Sequence, residues 1–201
     1  MSEFSRLLEE NLDGLLALTP AEVAVLDSHF DLLQRWNRRM NLTALRNTEE
    51  IVLRHYCESL LFGSRLPVGR YRLADIGSGP GFPGFPVAVV RPDCHVSLVE
   101  SNSRKCVFLR ESSRDLSNVH VLEQRAEDLT ESFDWGVTRA VNWAGLWPLI
   151  PQIASRVGLL LGESDAERIM GLAGYIWERP EPLPWGERRV MLFGTVSRGT
   201  S

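Results

Sequence analysis

The chain has 201 residues, 44% of them hydrophobic, and its 26 acidic and 22 basic side chains leave a formal net charge of −4. This length and composition are typical of one compact globular domain, or of a domain with a small appended subdomain, and they exclude a disordered or low-complexity chain. No apolar run approaches the roughly 20 residues that a membrane-spanning helix requires.

The cysteines and the first residues indicate the compartment. Cys57, Cys94 and Cys106 form an odd and widely spaced set, which argues against a disulfide framework. Residues 1–5 are acidic and lack the basic and then apolar pattern of a secretory signal peptide. The sequence therefore predicts a reduced, cytoplasmic protein.

Apolar residues recur at helical spacing through the first third of the chain. They predict a helix over residues 5–18 and another over residues 48–62. Between them, Thr19-Pro20-Ala21-Glu22 has the hydroxyl, proline and glutamate of a capping box that starts a second helix. We expect residues 1–66 to form a helical extension and residues 67–201 to form a second domain.

Beyond residue 70, short apolar strands alternate with helices. Strands are predicted over residues 72–76, 95–100, 119–122, 135–138, 158–162 and 189–196. Helices are predicted from residue 83, over residues 103–116, with Val107, Phe108 and Leu109 facing inward, and over residues 146–157. This alternation predicts an α/β fold with a doubly wound parallel sheet.

A glycine-rich loop after the first of these strands is the most informative segment. It reads Asp75-Ile76-Gly77-Ser78-Gly79-Pro80-Gly81-Phe82-Pro83-Gly84, and glycines here let the backbone approach a ligand closely. Glu100 ends the next strand, where an acidic side chain can hydrogen-bond ribose hydroxyl groups. Loop and acid predict a nucleoside-binding crevice, with a turn that merely joins strand and helix as the alternative.

Two kinds of cofactor come into question for this loop. Its last three glycines satisfy the G-x-G-x-x-G pattern of dinucleotide sites, so an NAD-dependent oxidoreductase is one alternative. The strand ends at Ile76, however, which makes Gly77 the first turn glycine and puts that pattern out of register. Asp75 would repel a pyrophosphate but suits the ammonium and sulfonium groups of S-adenosylmethionine. The loop therefore favours an S-adenosylmethionine site.

The ends of the third and fourth strands hold weaker candidates. Residues 124–128 follow the third strand, where a polar side chain could reach the exocyclic amine of adenine, with a merely solvated acidic turn as the alternative. Arg139 ends the fourth strand, where a ligand role and pairing with a neighbouring carboxylate are equally open. The four histidines have no metal-ligand spacing, so no metal site is predicted.

Charge is unevenly distributed along the chain. Residues 1–34 contain seven acidic side chains against Arg6, a net charge of −6, whereas residues 35–72 contain eight arginines against three glutamates, a net charge of +5. An arginine-rich stretch suits RNA phosphates, although a solvated helix face gives the same pattern. Arg104 and Lys105, just past the ribose acid, are further candidates for phosphate contacts.

Several motifs in this order resemble the small-subunit ribosomal RNA methyltransferase G family, also called glucose-inhibited division protein B. The likeness is dense over residues 34–140 and thin afterwards. Besides the glycine loop, it is carried by Asn41-Leu42-Thr43-Ala44-Leu45-Arg46, Arg54-His55-Tyr56-Cys57-Glu58-Ser59, Val90-Arg91-Pro92, Val107-Phe108-Leu109-Arg110, Arg125-Ala126-Glu127 and Arg139-Ala140.

The resemblance implies a class I S-adenosylmethionine-dependent methyltransferase fold, Rossmann-like, with an N-terminal helical extension. It also implies methylation of N7 of a guanine in 16S ribosomal RNA or the small ribosomal subunit. We do not expect a catalytic acid or base, because guanine N7 has an available lone pair. Together with the loop itself, it gives as cofactor-binding residues Asp75, Gly77, Gly79, Gly81, Phe82, Glu100, Ala126, Glu127 and Arg139, and as RNA contacts Arg54, His55, Arg104 and Lys105.

The sequence departs from the family pattern in places. Ser103-Arg104-Lys105 replaces Gly-Lys-Arg, Val141-Asn142-Trp143 replaces Phe-Ala-Ser, and Leu161-Gly162 replaces Lys-Gly. Two other functions remain open on the sequence. One is a methyltransferase that acts on a small molecule or a protein with the same cofactor pocket, and the other is a nucleoside-binding module with little activity.

Overall fold

A central β-sheet organises the chain, and the computed structural model describes residues 1–139, 143–186 and 188–197. The predictions that concern Ala140, Val141 and Asn142 lie outside the described residues. The strands are β1 (Arg72–Ile76), β2 (His95–Glu100), β3 (Val119–Glu123), β4 (Phe133–Arg139), β5 (Ala154–Gly162), β6 (Tyr175–Trp177), β7 (Glu181–Pro182) and β8 (Arg189–Val196).

The strand order is β3-β2-β1-β4-β5-β8-β6, and β7 also pairs with β8. Strands β1 to β5 are parallel, whereas β8 is antiparallel to β5, β6 and β7. The α/β prediction is therefore confirmed, and the antiparallel end of the sheet is an addition to it. The order reverses between β1 and β4, and such a switch point is where open α/β sheets bind ligands.

The helical extension contains α1 (Glu3–Leu12), α2 (Pro20–Met40), α3 (Thr48–Ile51), a π-helix (Val52–Cys57) and α4 (Glu58–Arg65). The predicted capping box is confirmed at the start of α2, where Thr19 and Glu22 cap each other's backbone. The first helix ends at Leu12 and not at residue 18, because Asp13 is non-helical and Gly14 has φ 71°.

The remaining helices are α5 (Gly84–Val90), α6 (Ser103–Ser112), a 3₁₀ turn (Ala126–Asp128), α7 (Trp143–Leu146), α8 (Ile150–Ile153) and α9 (Glu163–Met170). The helix predicted over residues 146–157 is wrong at both ends, since residues 147–149 form a turn between α7 and α8, and β5 already begins at Ala154 and pairs with strands on both sides. Val107 was also wrongly placed and is half exposed. Three consecutive residues span about 200° of a helix, so they cannot all face inward.

Two apolar clusters cover the two faces of the sheet. One joins α1, α2 and α4 to α5, α6 and the sheet, with Leu8, Leu33, Phe62, Phe85 and Phe108 at its centre. The other packs α8 and α9 against the opposite face. The helical extension is therefore built onto the sheet. None of the helices in the described ranges is long and apolar enough to cross a membrane.

Candidate nucleoside site

A cavity of about 480 Å³ opens at the carboxyl ends of β1, β2 and β3, beside the switch point. Four of the predicted cofactor residues line it: Gly77 after β1, Glu100 at the end of β2, and Ala126 and Glu127 in the 3₁₀ turn after β3. Apolar side chains from the α7–α8 segment, Leu146 and Leu149, complete the wall. The sheet thus brings together residues that are 50 positions apart in sequence.

The glycine loop is tied to β2 by its own backbone. The amides of Gly77 and Ser78 both donate to the Val99 carbonyl, at 2.9 and 3.0 Å. Gly77 and Gly79 have φ of 74° and 58°. This left-handed conformation is accessible to glycine at little cost, which explains the residue choice at this turn.

Glu100 is fixed by two backbone amides. Its Oε2 accepts from the Gly79 amide at 3.0 Å and its Oε1 from the Asn102 amide at 2.8 Å. Lys105 Nζ lies 3.9 Å from the same Oε2. An ionised carboxylate has about four acceptor positions, so these contacts leave room for hydroxyl groups of a ligand. Glu100 is therefore both rigid and able to bind a ribose.

Asp75 lies beneath the loop and is not in the cavity wall. It is completely buried, and its Oδ2 accepts from the Gly84 amide at 2.9 Å. Its Oδ1 has no partner among the described residues. Burial raises the pKa of Asp75 to about 7. The carboxyl group thus occupies the start of α5, the position that a dinucleotide site reserves for a pyrophosphate, and this argues against the oxidoreductase alternative.

Gly81 and Phe82 face the helical extension. A Cβ on Gly81 would lie 3.6 Å from His29 Nε2 of α2, and the Phe82 ring is buried and stacked on the His55 ring of the π-helix at 4.6 Å. Neither residue lines the cavity. Their neighbours on this side of the loop are α2 and the π-helix, so their predicted contact with a cofactor remains a prediction.

Arg139 joins a buried polar cluster, which we call the arginine network (His55, Glu58, Arg139 and Arg189). Arg139 Nη1 lies 2.9 Å from His55 Nδ1, and its Nη2 lies 3.6 Å from Glu58 Oε2. Both Glu58 oxygens accept from Arg189, at 2.8 and 2.7 Å. Glu58 is only 2% exposed. The sequence did not predict the roles of Glu58 and Arg189, which lie 131 residues apart.

Protonation in the arginine network follows from burial. Desolvation lowers the pKa of His55 to about 3 and that of Arg139 to about 10, so at neutral pH the imidazole is neutral and the guanidinium charged. Arg139 therefore donates to Nδ1, and the other ring nitrogen, Nε2, donates to Thr43 Oγ1 at 2.8 Å. Both ring nitrogens of His55 are used within the protein.

The other predicted RNA contacts are distributed over the surface. Arg104 is exposed at the start of α6, and Lys105 and Arg54 are half-buried. Burial lowers the pKa of Arg139, and the positive charge of Arg54 contributes to this lowering by repulsion. No cluster of three or more potential metal ligands occurs within the described ranges.

Sequence comparisons match this chain to one family. The family model described as rRNA small subunit methyltransferase G matches residues 22–145. The protein named ribosomal RNA small subunit methyltransferase G from Xylella fastidiosa (strain M23) is 51% identical over 127 residues, which are 62% of this chain and 58% of that protein. The protein of the same name from Halorhodospira halophila is 40% identical over 149 residues, 73% of this chain and 70% of that protein.

Solved structures share the fold. Magnesium protoporphyrin IX methyltransferase from Synechocystis, solved with bound S-adenosylmethionine, has a TM-score of 0.59 at 16% identity and covers 90% of this chain and 100% of its own. A SAM-dependent methyltransferase from Aquifex aeolicus has a TM-score of 0.58 at 15% identity, with 74% and 93% covered. The expected class I methyltransferase fold is confirmed.

Proposed function

The chain belongs to the rRNA small subunit methyltransferase G family, and we propose that it transfers a methyl group from S-adenosylmethionine to N7 of a guanine in 16S ribosomal RNA. The observation that carries the proposal is the cavity at the switch point, where Gly77, Glu100, Ala126 and Glu127 line one space. The matched segment spans 58% of the length of the Xylella relative, and the family model, which matches residues 22–145, includes all of these residues.

The residues of the cavity fit this cofactor. Its volume, about 480 Å³, falls within the roughly 300–1,000 Å³ of small-ligand sites. Glu100 would accept the ribose hydroxyl groups, because each of its oxygens retains acceptor capacity. Leu146 and Leu149 offer an apolar wall to the adenine ring, with the 3₁₀ turn at its polar edge. Arg139 remains a proposed contact on the opposite side of the loop.

The proposed methyl transfer depends on the alignment of the reacting atoms and not on acid–base catalysis. When bound, S-adenosylmethionine supplies a methyl carbon activated by its sulfonium. Guanine N7 carries a free lone pair, so no side chain has to remove a proton from it. The chain contributes rigidity: two amides fix Glu100, the Val99 carbonyl fixes the loop, and Glu58 and His55 fix Arg139. Prearranged groups of this kind need little reorganisation during reaction.

Cofactor binding is tested by Gly77→Asp. We expect the wild type to be stabilised against heat by S-adenosylmethionine and not by NAD. Gly77→Asp should abolish this stabilisation, because it places a charged side chain in the cavity at a turn that disfavours side chains. The matched control is Gly14→Asp, since Gly14 has nearly the same φ, 71° against 74°, but lies in open space at the end of α1. Stabilisation by NAD alone would refute the cofactor assignment.

The target is tested by nucleoside analysis of 16S ribosomal RNA. A strain without this protein should lack one 7-methylguanosine, which the wild type and Gly14→Asp restore and Gly77→Asp does not. An unchanged 7-methylguanosine content in the deletion strain would disprove the proposed target. If the cofactor still binds in that case, a methyltransferase of another substrate class becomes the better assignment.

A further inference from the structure

A second cavity of about 480 Å³ lies away from the nucleoside site, between the C-terminal half of α2 and α6. We call it the arginine groove. Its α2 wall contains three arginines and three apolar residues, and α6 contributes one acid. The lining residues are Leu32, Arg35, Trp36, Arg38, Arg39, Met40 and Glu111. The proposed reaction gives none of them a role.

The three arginines present their charges to solvent. Arg35, Arg38 and Arg39 are all exposed, and Arg38 and Arg39 follow Arg35 by three and four residues, which places all three on one side of α2. None of them forms an ion pair with a residue of the described ranges. Glu111 is the single carboxylate in the lining. The groove is therefore a concentrated positive site.

Trp36 gives the groove an aromatic wall. The ring is half-buried, and its packing against Phe108 of α6 is edge-on, with 5.7 Å between ring centroids. This contact fixes the indole and still leaves part of it in the groove lining. A held aromatic ring among arginines is the combination that single-stranded nucleic acids bind, through base stacking and phosphate contacts.

Helix α6 connects the groove to the nucleoside site. It begins at Ser103, three residues after Glu100 of the cavity wall. Arg104, Val107 and Glu111 lie on one face of α6 by their spacing, and all three are exposed. At about 1.5 Å per residue, Glu111 is about 12 Å along the helix from Ser103. An RNA strand that extends from the nucleoside site along this face of α6 would reach the groove.

We propose that the arginine groove binds a single-stranded RNA segment that flanks the methylated guanine. One base stacks against Trp36, and phosphates contact Arg35, Arg38 and Arg39. The inference rests on the proposed function, because it specifies where the RNA substrate lies. The sequence indicates an arginine-rich stretch over residues 35–72 and the individual RNA contacts Arg54, His55, Arg104 and Lys105. The groove adds which arginines of that stretch bind together and the aromatic ring beside them.

The phosphate contacts are tested with a fluorescently labelled single-stranded RNA that spans the target guanine. The triple variant Arg35→Ala, Arg38→Ala, Arg39→Ala should bind it about tenfold more weakly and lower the slope of log affinity against log salt by about 2. The matched control changes three exposed arginines elsewhere, Arg6, Arg168 and Arg179, to alanine. It alters the net charge equally and should change the affinity less than about twofold.

The stacking on Trp36 and the negative charge of Glu111 are tested separately. Trp36→Leu should weaken binding of the same RNA about 5- to 150-fold, and Trp36→Phe should restore part of the loss, because stacking of one base contributes this range of affinity. Glu111→Gln should strengthen binding, since it removes a carboxylate from the phosphate path. Thermal unfolding and S-adenosylmethionine binding of each variant show whether it is folded.

The outcomes separate this inference from the proposed function. If the groove variants bind RNA like the control triple, the groove assignment is wrong, and the nucleoside analysis still decides the methylation target. If they lose affinity for small ribosomal subunits but not for protein-free 16S ribosomal RNA, the groove contacts a ribosomal protein, which also overturns the inference. If the deletion strain keeps its 7-methylguanosine, the proposed function fails whatever the groove does.

Discussion

At the scale of single residues, Asp75 holds the end of the glycine loop while its own carboxyl group is completely buried. Its Oδ2 holds the Gly84 amide at the start of α5, and a Cβ on Gly84 would come within 2.6 Å of that oxygen. The fit requires glycine at 84 and a short side chain with an acceptor oxygen at 75. Oδ1 has no partner among the described residues, so the charged form of the carboxyl group is poorly solvated.

Asp75→Asn tests this at the level of stability. Because burial raises the pKa of Asp75 from 3.8 to about 7, ionisation favours the unfolded chain. The contribution of Asp75 to stability is complete below pH 3.8 and is lost as the pH rises to about 7. Asparagine does not ionise and can still accept from Gly84. Relative to the wild type, the free energy of unfolding of the variant should therefore increase by up to about 1.4 kcal/mol per pH unit across that window.

Urea unfolding at a series of pH values measures the difference between the two proteins. Comparison with the wild type removes the contributions of other groups, including His29 and His55, whose lowered pKa values destabilise the fold as the pH falls from 6.5 towards 3. Equal pH dependence in Asp75→Asn and the wild type would show that the carboxyl group ionises normally.

At the scale of secondary structure elements, one carboxylate joins three parts of the fold. Glu58 begins α4, Arg139 ends β4 and Arg189 begins β8. Glu58 meets both guanidinium groups while it is nearly inaccessible to water. The helical extension is thus attached to the parallel and antiparallel parts of the sheet at one point, beside the glycine loop.

Glu58→Gln should destabilise the protein by about 3–5 kcal/mol, because it leaves the buried Arg139 and the half-buried Arg189 guanidinium groups without a counter-charge. Glu58→Asp keeps the charge at shorter reach and should recover part of the loss. The control is Glu181→Gln, which breaks the half-exposed pair with Arg65 and should cost about 0–1 kcal/mol. The free energy of unfolding in urea measures all three. Similar losses for Glu58→Gln and Glu181→Gln would contradict the buried ion pair.

The sequence pattern correctly predicted those features of the fold that depend on residues close to one another in the chain. The capping box at Thr19 predicted the start of α2, and the apolar runs predicted both ends of β1, β2 and β8. It could not predict that Ala154 enters a strand, because pairing of β5 with β4 and β8 overrides the helical pattern there. The Glu58–Arg189 contact was equally hidden, since residues 131 positions apart leave no periodic signal.

At the scale of the whole molecule, the proposed division at residue 66 does not separate two cores. Leu33 and Phe62 of the helical extension share a cluster with Phe85 and Phe193 of the sheet domain. A Cβ on Gly158 of β5 would lie 2.6 Å from Phe62 Cζ, so α4 packs directly on the strand. Residues 1–66 precede the sheet in the chain, but their apolar side chains pack in the same core as those of the sheet.

We therefore expect one cooperative unfolding transition. The calorimetric and van't Hoff enthalpies should agree, and far-ultraviolet circular dichroism should report the same midpoint as tryptophan fluorescence. Gly158→Ala, which displaces Phe62, should lower this single midpoint without splitting it. Two resolved transitions in the wild type would instead establish an independently stable helical extension.

The π-helix (Val52–Cys57) also limits how the sequence can change in length. A π-helical turn accommodates one residue more than an α-helical turn. Deleting one residue there would restore a regular α-helix and leave α4 close to its present orientation, because the extra residue is absorbed within the π-helical turn. Deleting one of residues 59–61 instead would rotate the rest of α4 by about 100° about its axis and turn Phe62 away from the core. A deletion within residues 13–18, a mostly exposed connection, moves no such contact. Single-residue deletions should therefore accumulate in that connection and in the π-helix and be rejected within α4.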